Sequence, residues 1–501
     1  MSVKSIVEFL IPAITWFLSF VTIIEGDITQ FYEVQKKIGE GAYGKIYKVR
    51  NKQSGDIRAM KQITKTKITD MGKFQTEIKI LSMLDHPNIV RLFEVIEDDK
   101  YYNLLEELCT GGELLTRAQN GQLKEKDIAR IFNQIMSGVA YIHGMGIVHR
   151  DLKLENILFS SEDPMSPIKI IDFGFSVFMG KTNENAKEKD KEGETDLKKF
   201  GFKRLKSKVG TLYYISPEII KGNYDEKCDI WACGVILYIL LAGYPPFTGN
   251  TDKEVYNLIT SIKYDFDKER WKNISKYAKE LIKSMLTPAK NRLSAKQVLA
   301  SKWLEIKLKD NIDENINNIL DYRRINKYKT YNKLKKAILT FIASRLSSEE
   351  SSQIRNIFYN IDEDKNGFIS YEDFRKYLIN EYDIDDLIEN EEELQKGFQG
   401  VDIDHNNQID YTEFLAANID EKIFLKTEKL KEAFRIFDLN DNGAIKREDI
   451  IRVMKLENLS DKNEIADKII EENDYDKDGK INFADFVKIM EENSDEKNEI
   501  K

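Results

Sequence analysis

The chain has 501 residues, too many for one hydrophobic core, so two or three domains are expected. Hydrophobic residues make up 41% and charged residues 33%, a balance that excludes a fibrous or wholly disordered chain. The net charge of -9, with no basic face gathering along the chain, excludes a nucleic-acid binder; acidic residues collect in the last third instead.

In chain order, the stretch from Ile6 to Ile24 is nearly all apolar, and as a helix rising about 1.5 Å per residue it would roughly cross a hydrocarbon core of about 30 Å. Glu8 and Pro12 interrupt it, and no small-residue cleavage pattern follows Ile24. Lys4 before it and Lys36 and Lys37 after it favour a cytoplasmic bulk of the chain. The segment is a candidate membrane anchor; an apolar extension folded against the next domain, or an unused start site, are the alternatives. Ser2 follows Met1, so the glycine needed for myristoylation is absent. Cys109, Cys228 and Cys233 are odd in number and lack the pairing of a zinc or disulfide framework, which points to a reducing compartment.

From Tyr32 the pattern becomes strand, loop, strand. Ile38-Gly39-Glu40-Gly41-Ala42-Tyr43-Gly44-Lys45-Ile46 is G-x-G-x-x-G followed by an apolar residue, a hairpin whose side-chain-free positions let backbone amides approach phosphates. Alone it marks a turn as readily as a nucleotide site. Lys61, in Ala59-Met60-Lys61, then sits on a strand where it can pair with the α- and β-phosphates of ATP. Glu77 opens the helical run Glu77-Ile78-Lys79-Ile80-Leu81, placed to hold that lysine in an ion pair. Next come His149-Arg150-Asp151-Leu152-Lys153-Leu154-Glu155-Asn156 and Asp172-Phe173-Gly174. Phosphoryl transfer needs a carboxylate beside the acceptor hydroxyl and oxygen ligands that hold Mg²⁺ on the phosphates. Asp151 fits the first role; Asn156 and Asp172 fit the second.

These motifs resemble the eukaryotic protein kinases from about Tyr32 to Leu304, which implies an α+β bilobal fold with ATP and Mg²⁺ in the cleft between the lobes. Lys153 resembles the serine/threonine-specific form of the loop, in which this lysine contacts the transferring phosphate. The resemblance also implies that Glu218, in Ser216-Pro217-Glu218, pairs with Arg292, and that Asp229 to Gly234 belong to the helix that buttresses the catalytic loop. Glu113 and Glu155 stand where basophilic relatives bind arginine, implying protein substrates with basic residues near the phosphorylated Ser or Thr. Glu107 to Cys109 fall at the adenine hinge. Glu106 then occupies the back of the adenine pocket, where threonine or methionine is common; a one-residue slip in the alignment is the alternative. A charged insertion from Lys181 to Lys208 reads as a solvated loop in which Thr182, Thr195, Ser207 and nearby Thr211 are candidate phosphate acceptors or have no switch role.

After Trp303-Leu304 the chain turns helical and basic. Leu334, Ile338, Phe341, Ile342 and Leu346 recur at helical spacing with Lys333, Lys335, Lys336 and Arg345 around them, as in a helix gripped by a calmodulin-like groove; an ordinary core helix is the alternative. Arg323-Arg324-Ile325-Asn326 reads either as a pseudosubstrate or as a charged turn.

Four EF-hand loops follow, each with oxygen ligands at positions one, three, five, seven, nine and twelve. The first offers Asp362, Asp364, Asn366, the Phe368 carbonyl, Ser370 and Asp373; the second offers Asp402, Asp404, Asn406, the Gln408 carbonyl, Asp410 and Glu413. The third offers Asp438, Asn440, Asn442, the Ala444 carbonyl and Asp449, with Lys446 at its ninth position; the fourth offers Asp474, Asp476, Asp478, the Lys480 carbonyl, Asn482 and Asp485. Spacings of 40, 36 and 36 residues make two pairs. The sixth-position glycine is Asn407 in loop 2, and asparagine tolerates the left-handed conformation needed there. Only Glu413 is a glutamate at the twelfth position, so loop 2 is expected to bind Ca²⁺ tightest; aspartate is one methylene shorter and lets Mg²⁺ compete in the others. Loop 3, with few carboxylates and Lys446 inside it, is the loop expected to stay empty.

The order of kinase, basic junction and four EF-hands resembles the calcium-dependent protein kinases. The resemblance implies a multidomain chain: an apolar segment at 1–30, an α+β bilobal kinase at 31–304, an autoinhibitory junction at 305–346, an all-α calmodulin-like domain with two EF-hand pairs at 347–493 and an acidic tail at 494–501. It further implies a cytoplasmic, calcium-activated serine/threonine kinase whose junction helix blocks the cleft at low Ca²⁺. A calcium-binding pseudokinase scaffold is the alternative from another class, against which Lys61, Asp151, Asn156 and Asp172 stand intact. A membrane-tethered calcium buffer leaves those residues unexplained.

Overall fold

The computed structural model describes residues 21–40, 44–121, 123–179, 211–222, 224–267, 269–309, 320–381, 391–454 and 461–492. Gly41, Ala42, Tyr43, the apolar residues 6–20, Thr182, Thr195, Ser207 and the tail 494–501 lie outside them.

Alternating and β-branched residues build six strands: β1 (Thr22–Glu25), β2 (Tyr32–Glu40), β3 (Gly44–Asn51), β4 (Ile57–Thr64), β5 (Leu92–Glu97) and β6 (Tyr101–Glu106). They form one sheet in the order β1-β5-β6-β4-β3-β2. The β2-β3 hairpin is the glycine-rich loop, and its last glycine is sterically required. A Cβ on Gly44 would lie 1.8 Å from the Gln62 carbonyl oxygen on β4. β1 pairs parallel with the outer edge of β5, with Ile23 opposite Val95 and Ile24 opposite Ile96. The end of the apolar run is therefore an edge strand that covers the exposed ladder of β5. Among the described residues no helix is long and apolar enough to cross a membrane.

Helix α1 (Met71–Met83) carries Glu77 against this sheet, and its N-terminus is capped by Asp70, which accepts from Lys73 N–H at 3.0 Å. The second lobe is helical. Helix α2 (Glu125–Gly144) and helix α3 (Lys227–Ala242) are buried along most of their length, α3 so completely that it reads as an apolar run rather than a stripe. Trp303 and Leu304 are buried in the same core, and Leu308 also packs on it, so kinase packing continues past Leu304 into the helix Lys302–Lys309.

A second core gathers most of the buried apolar side chains from Leu320 onward. Helix α4 (Tyr322–Thr330) contains Arg323-Arg324-Ile325-Asn326, with Ile325 buried and Arg324 donating to the Asn418 carbonyl at 2.7 Å. That basic stretch is thus a helix seated on the EF-hands. Helix α5 (Lys333–Ser344) follows, capped by Asn332, which accepts from Lys335 N–H at 2.8 Å. Leu334, Ile338, Phe341 and Ile342 are buried, each contributing about 1.5–3 kcal/mol as an upper estimate.

The EF-hand helices are α6 (Ser352–Ile361), α7 (Tyr371–Glu381), α8 (Glu391–Val401), α9 (Tyr411–Asn418), α10 (Thr427–Phe437), α11 (Arg447–Val453), α12 (Lys462–Asn473) and α13 (Phe483–Glu491). Short strands pair the loops two by two, Ile369 opposite Ile409 and Ile445 opposite Ile481.

Candidate functional site

The kinase cleft is assembled from three elements. β4 carries Ala59 and Lys61, α1 carries Glu77, and the segment after the strand Ile168–Ile170 carries Asp172. Lys61 Nζ donates to Glu77 Oε1 at 2.6 Å and lies 3.7 Å from Asp172 Oδ1. Burial lowers the pKa of the lysine, but Glu77, Asp172 and Glu106 outweigh it and raise it. Burial likewise opposes a charged Asp172, yet Lys61, His149 and Lys153 hold that carboxyl below the usual range. A cation and an anion are thus fixed side by side, the arrangement that phosphates with Mg²⁺ require.

The catalytic loop is braced from α3. Asp229 accepts from the N–H groups of His149 and Arg150, each at 2.8 Å, and from His143 Nε2 at 3.0 Å. Asp151 accepts from Lys153 Nζ at 2.9 Å, and Asn156 Nδ2 donates to both the Asp151 carbonyl and its Oδ2, at 2.8 and 3.1 Å. Asn156 thereby commits its N–H side to Asp151, leaving its amide oxygen as a ligand of the type Mg²⁺ accepts. The structure brings Asp151, Lys153, Asn156 and Asp172 to one place. Glu218 receives a forked contact from Arg292, whose Nη2 donates to Oε2 at 3.2 Å.

Of the residues expected on the adenine side, Ile38, Gly39 and Glu40 end β2, Ile46 lies on β3 and Ala59 on β4, and Glu107 and Cys109 follow β6. Ile38 stays 43% exposed, an apolar surface for a base to cover, while Glu40 points out and pairs with Lys37. Glu107 is tied by Lys169 at 2.7 Å, and burial raises the pKa of the Cys109 thiol. Glu106 ends β6 directly opposite Ala59, on the same face as Ala59 and Lys61. The register settles the alignment question: the carboxylate is in the pocket. Burial pushes Glu106 up to about 7, Lys61 opposing and Glu77 and Asp172 adding to the shift.

All four EF-hand loops adopt the same backbone turn. Their fourth and sixth residues have positive φ: Lys365 and Gly367, His405 and Asn407, Asp441 and Gly443, Lys477 and Gly479. Asn407, at φ 64°, replaces glycine without losing the turn. Each first-position aspartate caps the bend: Asp362 accepts from Gly367 N–H at 3.0 Å, Asp402 from Asn407 at 3.0 Å, Asp438 from Gly443 at 2.7 Å and Asp474 from Gly479 at 2.7 Å.

The loops differ in how their carboxylates meet. Asp402, Asp404 and Glu413 in loop 2, and Asp474, Asp476 and Asp478 in loop 4, present oxygens within 4.8 Å of one another. Among the described residues, loops 1 and 3 form no such triple. In loop 1 Asp364 is drawn to Lys296 at 2.9 Å, and Asp373 folds back on Ser370 N–H at 3.0 Å. In loop 3 Asp449 accepts from Asn440 Nδ2 at 3.0 Å and Lys446 N–H at 2.9 Å. Burial, reinforced by neighbouring carboxylates, pushes Glu413 up to about 8 and Asp362 up to about 7, a crowding of oxygens that a divalent cation satisfies.

The structure adds contacts that no motif announced. Asp85 and Arg91, between α1 and β5, meet the EF-hand domain: Thr412 donates its N–H to Asp85 Oδ2 at 2.7 Å and its hydroxyl to Oδ1 at 2.9 Å. Arg91 donates to the Ser344 carbonyl at 2.7 Å and to Thr412 Oγ1 at 3.0 Å. Tyr359 donates to Asn88 at 2.8 Å.

Comparison with known proteins agrees with this geometry. Residues 32–304 match the protein kinase domain, and residues 351–417 and 427–491 each match an EF-hand domain pair. The chain is 37% identical over 474 residues to calcium-dependent protein kinase 5 of Plasmodium falciparum, covering 93% of this chain and 78% of that protein. It is 36% identical to calcium-dependent protein kinase 4 of the same organism, covering 91% and 85%. Against calcium-dependent protein kinase 3 of Plasmodium berghei the identity is 34%, covering 94% and 82%.

Proposed function

Since this chain belongs to the calcium-dependent protein kinases, serine/threonine kinases that take ATP with Mg²⁺ and bind Ca²⁺ through EF-hands, we propose that helix α5 is its calcium-controlled switch. At low Ca²⁺ α5 and the chain leading to it obstruct the substrate cleft; with Ca²⁺ bound, the EF-hand domain encloses α5 and the cleft opens. The observation that carries this reading is the enclosure of α5, buried around its whole circumference in the EF-hand core. Lys335 and Lys336, read from sequence as surrounding charge, are drawn in as well. Lys335 Nζ donates to the carbonyls of Met490 and Glu492 at 2.9 and 2.7 Å, and Lys336 Nζ to that of Gly400 at 2.8 Å. They close the C-terminal ends of α13 and α8, where a cation is favoured. The EF-hand domain reaches the kinase through side chains such as Asp85, Asn88, Arg91 and Glu94.

In this reading Asp151 is the carboxylate beside the acceptor hydroxyl, Lys153 and Lys61 hold phosphate oxygens, and Asn156 and Asp172 hold Mg²⁺. Mg²⁺ neutralises charge on the transferring phosphoryl group. The substrate preference is basic: Glu155 Oε2 is buried and accepts no hydrogen bond among the described residues, the condition of a carboxylate whose partner arrives with the substrate. The test is truncation after Lys309, the end of the helix whose packing completes the kinase core. The shortened kinase should phosphorylate a basic peptide equally with Ca²⁺ and with chelator, while the full chain should require Ca²⁺; a Ca²⁺ requirement retained in the truncated form overturns the switch.

A further inference from the structure

The kinase domain touches the first EF-hand pair at the calcium loops themselves. Phe368, whose carbonyl is the seventh-position ligand of loop 1, packs its half-buried ring against the kinase core, with ring centres 5.1 Å from Tyr141. Gly367 beside it lies so close to the kinase that a Cβ would stand 2.6 Å from His86 and from Tyr141. Ser137, on α2, donates its hydroxyl to the Lys365 carbonyl at 3.3 Å. On loop 2 the contact falls at Thr412, the eleventh position, next to Glu413. Asp85 takes both of its donors and so caps the first turn of α9 from outside, a favourable place for a carboxylate.

These two contacts flank the strand pair Ile369–Ser370 and Gln408–Ile409 that joins loops 1 and 2. The kinase therefore holds both loops and, through them, the bridge. The second pair is held differently: its contact runs through α10, where Arg435 donates to Glu94 at 3.4 Å. In loops 3 and 4 the carboxylates of Asp438, Asp449, Asp474 and Asp485 bond within their own loops.

We infer that the kinase domain is itself part of the calcium sensor: by gripping Phe368 and Thr412 it holds loops 1 and 2 in their ion-binding shape and raises the calcium affinity of the first EF-hand pair. The sign follows from the conformation that is gripped. In the docked chain both loops already have the left-handed turns and capped first aspartates of ion-binding loops, and loop 2 has its three carboxylates gathered. Ca²⁺ favours this conformation, and coupling is reciprocal, so docking favours Ca²⁺ by the same factor. Loop 2 has the most to gain, because in loop 1 the third-position ligand Asp364 is paired with Lys296 of the kinase at 2.9 Å, which opposes the gain there.

The inference rests on the calcium occupancy of loops 1 and 2 taken above, and its test separates the two. Calcium affinities are measured on the full chain by titration against a chelating dye, with kinase activity not used as the readout. The forms compared are wild type, Asp85→Asn, Phe368→Ala and, as a reference, Asp402→Ala. Asp402→Ala should remove binding at the first pair. Asp85→Asn and Phe368→Ala, neither of which alters a ligand atom, should each weaken the first pair by about fivefold or more while leaving the second pair unchanged. Thermal unfolding of each variant checks that it is folded, and Asp85→Asn, an isosteric change, carries the test if Phe368→Ala is not. Wild-type affinity in the Asp85→Asn protein overturns the inference alone. An Asp402→Ala protein that binds like wild type overturns the calcium reading of that pair together with it.

Discussion

Arg150 and Asp172 each sit at φ 65°, a region that costs a non-glycine residue about 1–2 kcal/mol. Both are held there by neighbours: Arg150 N–H donates to Asp229 and its Nε donates to the Phe175 carbonyl at 2.6 Å, while Phe173 beside Asp172 packs on His149, the two rings tilted 60° with centres 4.8 Å apart. The strain keeps two carboxylates, Asp151 and Asp172, facing one cleft. On the role proposed for Asp151, Asp151→Asn should lower kcat on a basic peptide by about 10²–10⁴-fold. It should leave ATP affinity near wild type, because Lys61, Glu77 and Asp172 pair without it. Full activity in that variant would remove Asp151 from the reaction. Glu106 shows the limit of reading single residues from a motif. Its register was ambiguous by one position in sequence, and only its pairing with Ala59 across two strands decides that the carboxylate faces Lys61.

The four EF-hand loops were legible because all of an EF-hand's ligands lie within twelve consecutive residues. The same locality explains why the ranking of loops needs the structure as well. Glu413 spans its loop, accepting from Ile403 N–H at 2.8 Å and Asp410 N–H at 3.0 Å. Asp485 makes the same span in loop 4, from Tyr475 at 3.3 Å and Asn482 at 3.1 Å, although it is one methylene shorter. Glu413→Gln should raise the Ca²⁺ needed for half-maximal activity by at least about tenfold, the lower end of what even outer-shell changes cost a metal site. Asp449→Asn, in a loop whose carboxylates do not gather, should shift it less. Titrating kinase activity with Ca²⁺ for the two variants decides the order, and a larger shift from Asp449→Asn would reverse it. Helix α5 was legible in its period but not in its surroundings. A hydrophobic stripe says which face is buried, yet nothing local says that the opposite face is covered too and that Lys335 is buried with it. Burial there pushes both lysines down to about 8. β1 was hidden for a related reason: four residues at the end of a long apolar run carry no mark of the strand they pair with.

What joins the kinase to its sensor lies between residues far apart in sequence, as in the 327-residue separation of Asp85 and Thr412, so no motif marks it. Glu94 is the point where most of the chain meets. It is fully buried on β5, the strand that β1 covers, and accepts from Tyr32 Oη at 2.8 Å, from Arg435 of α10 at 3.4 Å, and lies 4.0 Å from Arg345 at the end of α5. One carboxylate thus faces a kinase strand, the junction and the third EF-hand. Arg345 and Arg435 also stack on Phe93 and Phe31, at 5.1 and 5.9 Å, which keeps both guanidinium groups in the interface. Burial raises the nearby Glu432 carboxyl against the opposing pull of Arg345 and Arg58, so Glu432 is a poor substitute anion. Removing one partner of a buried charge cluster costs about 3–5 kcal/mol, and the long contacts here place Glu94→Gln toward about 3 kcal/mol. The loss should fall on the docking rather than on either core, since Glu94 faces away from Asp151 and from the calcium loops in its contacts. The kinase and EF-hand domains of the variant should therefore unfold in two separated transitions where the wild type unfolds in one, read by calorimetry with Ca²⁺ present. A single transition at the wild-type temperature would show that Glu94 does not hold the two domains together.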